Sequence, residues 1–158
     1  MEQHEHKWMR EAIRLAEGNV GSGQGGPFGA VVVRNGEVIA RGSNQVTAWN
    51  DPTAHAEVVA IRAACEALGH FQLTGCDLYT SCEPCPMCLG AIYWARPDRV
   101  FFANTRQDAA HIGFDDAFIY EELTRDLHER KIEMIPLLRN EALHAFSLWK
   151  EKGDKTLY

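Results

Sequence analysis

The 158-residue chain is 46% apolar and 24% charged, a balance that fits one globular domain over residues 1–158 and excludes a disordered or low-complexity polymer. Lys and Arg total 16 against 22 Asp and Glu, so the net charge is -6; without a run of four or more basic residues, this weakens any reading as a nucleic-acid binder that grips phosphates, and no nucleic-acid partner is expected. Apolar runs such as Ala30 to Val33 fall far short of the roughly 18 residues that span a bilayer, and Met1 to Lys7 holds no apolar signal region, so no membrane partner and a cytoplasmic location are expected.

From Glu5 to Glu17, Trp8, Met9, Ala12, Ile13, Leu15 and Ala16 recur at helical spacing, and Gly18 is expected to end that helix. Gly21 to Pro27 is Gly-rich but lacks the Gly-x-Gly-x-x-Gly order ahead of a helix that a dinucleotide site requires, so it reads as a connecting loop. Phe28 to Val33 and Val38 to Ala40, broken by Asn35-Gly36, predict an antiparallel hairpin. Asp51-Pro52 predicts an N-cap and first helical proline, followed by a buried stripe of Val58, Ile61, Cys65 and Leu68 and a stop at Gly69. That helix carries His55 and Glu57 in its first turns.

Asp77 to Ser81 reads as a strand, Pro86 to Ala95 as a helix stopped by Arg96-Pro97, and Val100 to Ala103 as a strand. Strand, helix and strand in that order imply a right-handed crossover and parallel pairing. Ala117 to Leu123 predicts a helix, Ile132 to Leu137 a last strand, and Ala142 to Lys150 a terminal helix with Ala142, Phe146 and Trp149 on one side. The fold class is α/β: a three-layer α-β-α sandwich around a mixed sheet of about five strands.

Three of the five cysteines crowd together at Cys82, Cys85 and Cys88, a pattern that favours metal binding or redox chemistry over a disulfide framework. Cys85 and Cys88 sit at a helix start, where unpaired backbone N–H groups favour thiolate, and their spacing puts both sulfurs on one side of a turn. With His55 they make a two-cysteine, one-histidine set whose fourth position is left to water, the arrangement of a catalytic zinc. Such a water ionises near pH 7 rather than near 16. Glu57 lies close enough to carry its proton to a ring nitrogen and then to a departing amine, which is hydrolytic deamination.

Other readings of these residues stand beside that one. Cys82 joining His55, Cys85 and Cys88 would make a closed structural zinc, hence a binding module without turnover, and would leave Glu57 without a role. Cys85-Pro86-Met87-Cys88 after a strand also has the form of a redox dithiol. Cys65 and Cys76 read as small buried hydrophobes. His4, His6, His70, His111, His128 and His144 lack a matching cysteine or carboxylate neighbour and read as surface or packing residues.

His55-Ala56-Glu57 with Pro84-Cys85-Pro86-Met87-Cys88 is the known H-x-E and P-C-x-x-C signature of the cytidine deaminase-like zinc hydrolases, and the chain resembles that superfamily. Within it the chain is similar to the bacterial guanine deaminases, on Gly26 to Ala30, Asn50 to Glu57, Tyr79 to Pro97, Gly113 to Asp116, Phe118-Ile119-Tyr120 and the terminal Tyr158. The resemblance implies one Zn2+ per chain held by His55, Cys85 and Cys88, Glu57 as catalytic proton carrier, and conversion of guanine and water to xanthine and ammonia in purine catabolism. It further implies Asn44 and Asp116 on the purine edge, Phe28 and Trp94 on its faces, and a homodimer with exchanged C-terminal segments in which Tyr158 closes the partner's site. Phe28 also fits a strand core, Trp94 a helix-packing or dimer face, Asp116 an N-cap, and Tyr158 a free chain end. The tRNA adenosine deaminases share the zinc motifs and the Asp51 to Glu57 stretch, but their polyanionic substrate suits a charge of -6 poorly. Other aminopurines and aminotriazines remain alternative substrates.

Overall fold

The computed structural model describes residues 2–158, with side chains from Glu5 onward; Met1 and the side chains up to His4, including that histidine's predicted surface role, lie outside the described residues. The chain forms two compact units, the second spanning Ala117–Tyr158. In the first unit, α1 (Glu2–Ser22) leads into β1 (Gly29–Arg34), β2 (Glu37–Ser43), α2 (Val46–Trp49), α3 (Ala56–Leu68), β3 (Cys76–Cys82), α4 (Pro86–Ala95), β4 (Arg99–Asn104) and α5 (Arg106–His111).

The sheet runs β2-β1-β3-β4, with β1 antiparallel to both β2 and β3, and β4 parallel to β3 as its crossover through α4 requires. Asn35 and Gly36 both have positive φ, the geometry a two-residue hairpin turn needs to match the strand twist. Strand alternation then sorts side chains into two cores. Val31, Val33 and Tyr79 pack with Trp8 of α1, while Ala30, Val32, Ala40 and Leu78 pack with Ala56, Ala60 and Ala64 of α3 and Ile92 of α4.

Glycine sets how close α3 comes. A Cβ at Gly42 of β2 would overlap the Ala56 carbonyl and crowd the Ala60 amide, so this position lets the helix backbone rest almost directly on the strand. The buried stripe of α3 is accordingly Ala56, Val58, Ala60 and Ala64, and the expected Ile61, Cys65 and Leu68 flank it half-buried. The helix also starts later than Asp51-Pro52 predicts. Asp51 instead accepts hydrogen bonds from the Thr53 amide and hydroxyl, and His55 becomes the N-cap. The consequence is functional: the imidazole sits at the very mouth of α3, with Glu57 in its first turn.

Other boundaries moved for equally local reasons. α1 continues past Gly18 to Ser22 because its last turn is tied down by buried Asn19, whose amide donates to the carbonyls of Gly26 and Asn44. α5 was not anticipated, although Thr105 and Asp108 form a full capping box at its start.

In the second unit, α6 (Ala117–Thr124), a short 3-10 turn (Leu127–Glu129) and α7 (Arg139–Glu151) are separated by irregular chain. The strand expected over Ile132 to Leu137 does not form, so the sheet has four strands rather than about five. A strand exists only through its pairing, and this apolar segment has no ladder among the described residues; Ile132, Ile135 and Leu137 are exposed. Phe146 and Trp149, the expected stripe of α7, are exposed as well. No helix among the described residues is long and apolar enough to cross a membrane.

Candidate active site

Three chain segments meet at one point: the start of α3, the end of β3 and the start of α4. His55 is the N-cap of α3 and Cys85 the N-cap of α4, with Pro86 at the first helical position. The Cys85 sulfur accepts the Cys88 amide N–H at 3.5 Å. His55 Nδ1 lies 3.5 Å from Cys85 Sγ and 3.5 Å from Cys88 Sγ, and all three potential ligand atoms fall within 4.8 Å of one another.

The protonation pattern follows from that crowding. A hydrogen bond from the Cys88 thiol, reinforced by His55, lowers the Cys85 thiol to about 4, despite burial that opposes the shift. His55 is raised, chiefly by its bond to Cys85, and Cys88 is raised by serving that same sulfur and by burial. The two sulfurs and the imidazole thus lie within hydrogen-bonding reach of one another in a small triangle. Two soft sulfurs and an imidazole are a zinc donor set, and they fit that ion by chemistry and by convergence.

Cys82 is not part of it. Its thiol donates to the Thr105 carbonyl at 3.7 Å and is pushed up to about 11, mainly by burial. Among the described residues, the group that could hold a metal is His55, Cys85 and Cys88, which leaves the four-ligand structural site unbuilt.

Glu57 stands against the triangle, 6% exposed, with burial raising its carboxyl above the usual range. Its Oε2 accepts from the Cys88 thiol at 3.4 Å and its Oε1 from the Thr80 hydroxyl at 3.0 Å. Asn44 is buried just beyond β2. Its backbone N–H donates to the Phe28 carbonyl, and its side-chain Oδ1 accepts the Val46 N–H at 3.2 Å. Phe28 is half-buried and meets Phe114 edge-on at 5.0 Å. Asp116 is half-buried, raised mainly by burial and further by the Cys85 charge. Trp94 lies at the C-terminal end of α4, about 13 Å along the axis from the ligand end, and is 64% exposed. Tyr158 belongs to the second unit and is 69% exposed. His70 stacks on Phe71, and His111 sits against the Gln107 carbonyl, consistent with packing roles.

Sequence reasoning missed Thr80 and Asn19. A β-branched residue in a buried strand looks like any core position, and Asn19 follows the glycine expected to end α1. Only the fold reveals what their polar atoms touch.

Residues 1–104 match the family model of the cytidine and deoxycytidylate deaminase zinc-binding region. The chain is 54% identical over 151 residues to guanine deaminase of Bacillus subtilis, covering 96% of this chain and 97% of that protein. An X-ray structure of guanine deaminase from Bacillus subtilis superposes with a TM-score of 0.94 at 54% identity over 97% of this chain and 98% of the other. A structure of guanine deaminase from Nitrosomonas europaea matches with a TM-score of 0.66 at 34% identity over 69% of this chain and 63% of that one. The tRNA-specific adenosine deaminase of Aquifex aeolicus is 41% identical over 131 residues, 82% of this chain and 81% of that protein.

Proposed function

The chain belongs to the family of the cytidine and deoxycytidylate deaminase zinc-binding region, and on that premise we propose that it converts guanine and water to xanthine and ammonia with one zinc per chain. The observation that carries the chemistry is the convergence of His55 Nδ1 on two cysteine sulfurs beside the buried carboxylate of Glu57. His55, Cys85 and Cys88 hold the ion. When bound, zinc acts as a Lewis acid that makes a nucleophile of water at neutral pH. Glu57 accepts one proton from the attacking water and passes it to a purine ring nitrogen, then takes the remaining proton from the hydroxyl of the carbon adduct and delivers it to the amine, which leaves as ammonia.

Asn44 and Asp116 pair with the purine edge. Because the Val46 N–H occupies its Oδ1, Asn44 offers its amide nitrogen as donor to an acceptor on the base. Phe28 supplies an apolar face for the flat ring, whereas Trp94, exposed at the far end of α4, fits the alternative of a dimer face. The active form is a cytoplasmic homodimer that exchanges C-terminal segments, so that Tyr158 closes the partner's site. The exposed Ile132, Ile135 and Leu137 support this, since a second copy gives them a surface to cover.

Adenosine in tRNA is the second reading, supported by the 41% identity to a tRNA-specific adenosine deaminase and opposed by the net charge of -6. A screen of free bases, nucleosides, aminotriazines and tRNA for ammonia release decides between them. Guanine is expected to yield xanthine. Release from another substrate with guanine untouched overturns the substrate assignment, and a zinc-loaded chain that turns over nothing is a binding module.

A further inference from the structure

Thr80 sits on β3, an interior strand of the sheet, in register with Ala30 of β1 and Phe102 of β4, and is 1% exposed. Alternation puts it on the same face as Cys76 and Leu78, within an apolar cluster that also contains Ala30, Val32 and Ala56. Valine would fill that volume with no polar atom to satisfy. A hydroxyl buried here costs free energy unless it finds a partner, and it finds one across the sheet-helix interface: Thr80 Oγ1 donates to Glu57 Oε1 at 3.0 Å.

The second oxygen of Glu57 is held differently. Its neighbour on that side is the Cys88 sulfur at 3.4 Å, a member of the metal triangle rather than of the sheet core. The Thr80 hydroxyl keeps its hydrogen throughout. A carboxylate anchored through one oxygen presents the other in a fixed direction, which is what two successive proton transfers to different atoms require.

We propose that Thr80 is a positioning residue for deamination, holding Oε1 of Glu57 so that Oε2 stays turned toward the His55, Cys85 and Cys88 triangle. The proposal rests on Glu57 being the proton carrier. A plain strand-packing role makes the opposite forecast, because valine would serve packing as well as threonine and serine would serve it worse.

The test compares zinc-loaded, full-length wild type, Thr80→Val and Thr80→Ser by guanine turnover, metal content and crystal structure. For Thr80→Val, kcat is expected to fall about tenfold to a hundredfold with KM within about twofold, zinc still at one per chain, and the Glu57 carboxylate swung from its place. Thr80→Ser is expected to restore kcat to within about threefold of wild type with Glu57 back in position. A Thr80→Val enzyme within about twofold of wild-type kcat, or one that loses its zinc, or a serine variant as slow as the valine one, overturns the proposal. If the valine variant does not fold, Thr80→Ala replaces it under the same criteria. Wild type that leaves guanine untouched breaks the functional reading instead; the placement of Glu57 in the variant crystal then still decides the role of Thr80.

Discussion

Up to Asp116 the chain buries Val31, Val32, Leu73 and Leu78 completely within its layered core, whereas from Ala117 onward no described residue is buried and Ile132, Ile135, Leu137 and Phe146 stand exposed. Both stretches are rich in apolar side chains. The first has a sheet to pack them on, and hydrophobic burial fixes its helices to within the tolerance that a three-point metal site demands. The second has only helices joined by irregular chain, and its apolar side chains stay at the surface, which makes self-association the property to test there. The His55, Cys85 and Cys88 triangle and Glu57 therefore lie in the first unit, while the second carries the exposed apolar side chains.

The largest expected effect probes the first unit at its centre. Glu57→Gln keeps the volume of the side chain but cannot carry a proton, so guanine turnover is expected to fall by about a thousandfold with zinc still bound, read by ammonia release and metal analysis. Near-normal turnover removes Glu57 from the mechanism. Next is Gly42→Val, which forces a branched side chain into the contact between β2 and α3. It is expected to cost about 1–3 kcal/mol in urea unfolding and to depress activity in parallel, since α3 carries both His55 and Glu57. An unchanged midpoint would mean that the helix does not rest on that strand as described.

Two changes sharpen the contrast from the other side. Deleting Tyr158 is expected to lower guanine kcat/KM by about tenfold while leaving zinc content and unfolding midpoint unaltered; unaffected kinetics refute closure by the tail. Ile135→Asp places a charge on the exposed segment and is expected to weaken self-association by about tenfold in sedimentation equilibrium, with the first unit's unfolding unaffected. Self-association that stays constant would leave the apolar segment without the partner inferred for it.

The site's ligands were legible because their chemistry is written in short spacings. His55-Ala56-Glu57 and Cys85-Pro86-Met87-Cys88 need particular residue types a fixed number of positions apart, and Pro86 marks the start of α4 without any tertiary information. The hairpin at Asn35-Gly36 was legible for a similar reason, since few other residues tolerate both left-handed positions. By contrast, the start of α3 went to His55 rather than Asp51 because Asp51 found a cheaper local partner in Thr53. Ile132 to Leu137 has the composition of a strand, yet composition cannot supply a neighbouring edge. Asn19 and Thr80 carry no signal at all in sequence, because their importance lies in what their polar atoms meet 25 and 23 residues away.

The sequence by itself determined the donor set, the carboxylate beside it, the hairpin and the alternation that builds two cores, all properties of local spacing and residue chemistry. Tertiary structure alone decided that Cys82 turns to the Thr105 carbonyl instead of the metal triangle, that a threonine hydroxyl anchors Glu57, and that the C-terminal apolar segment stays unpaired. The reason is physical: which buried polar atom satisfies which other, and whether a strand has an edge to join, depends on distances between segments far apart in the chain.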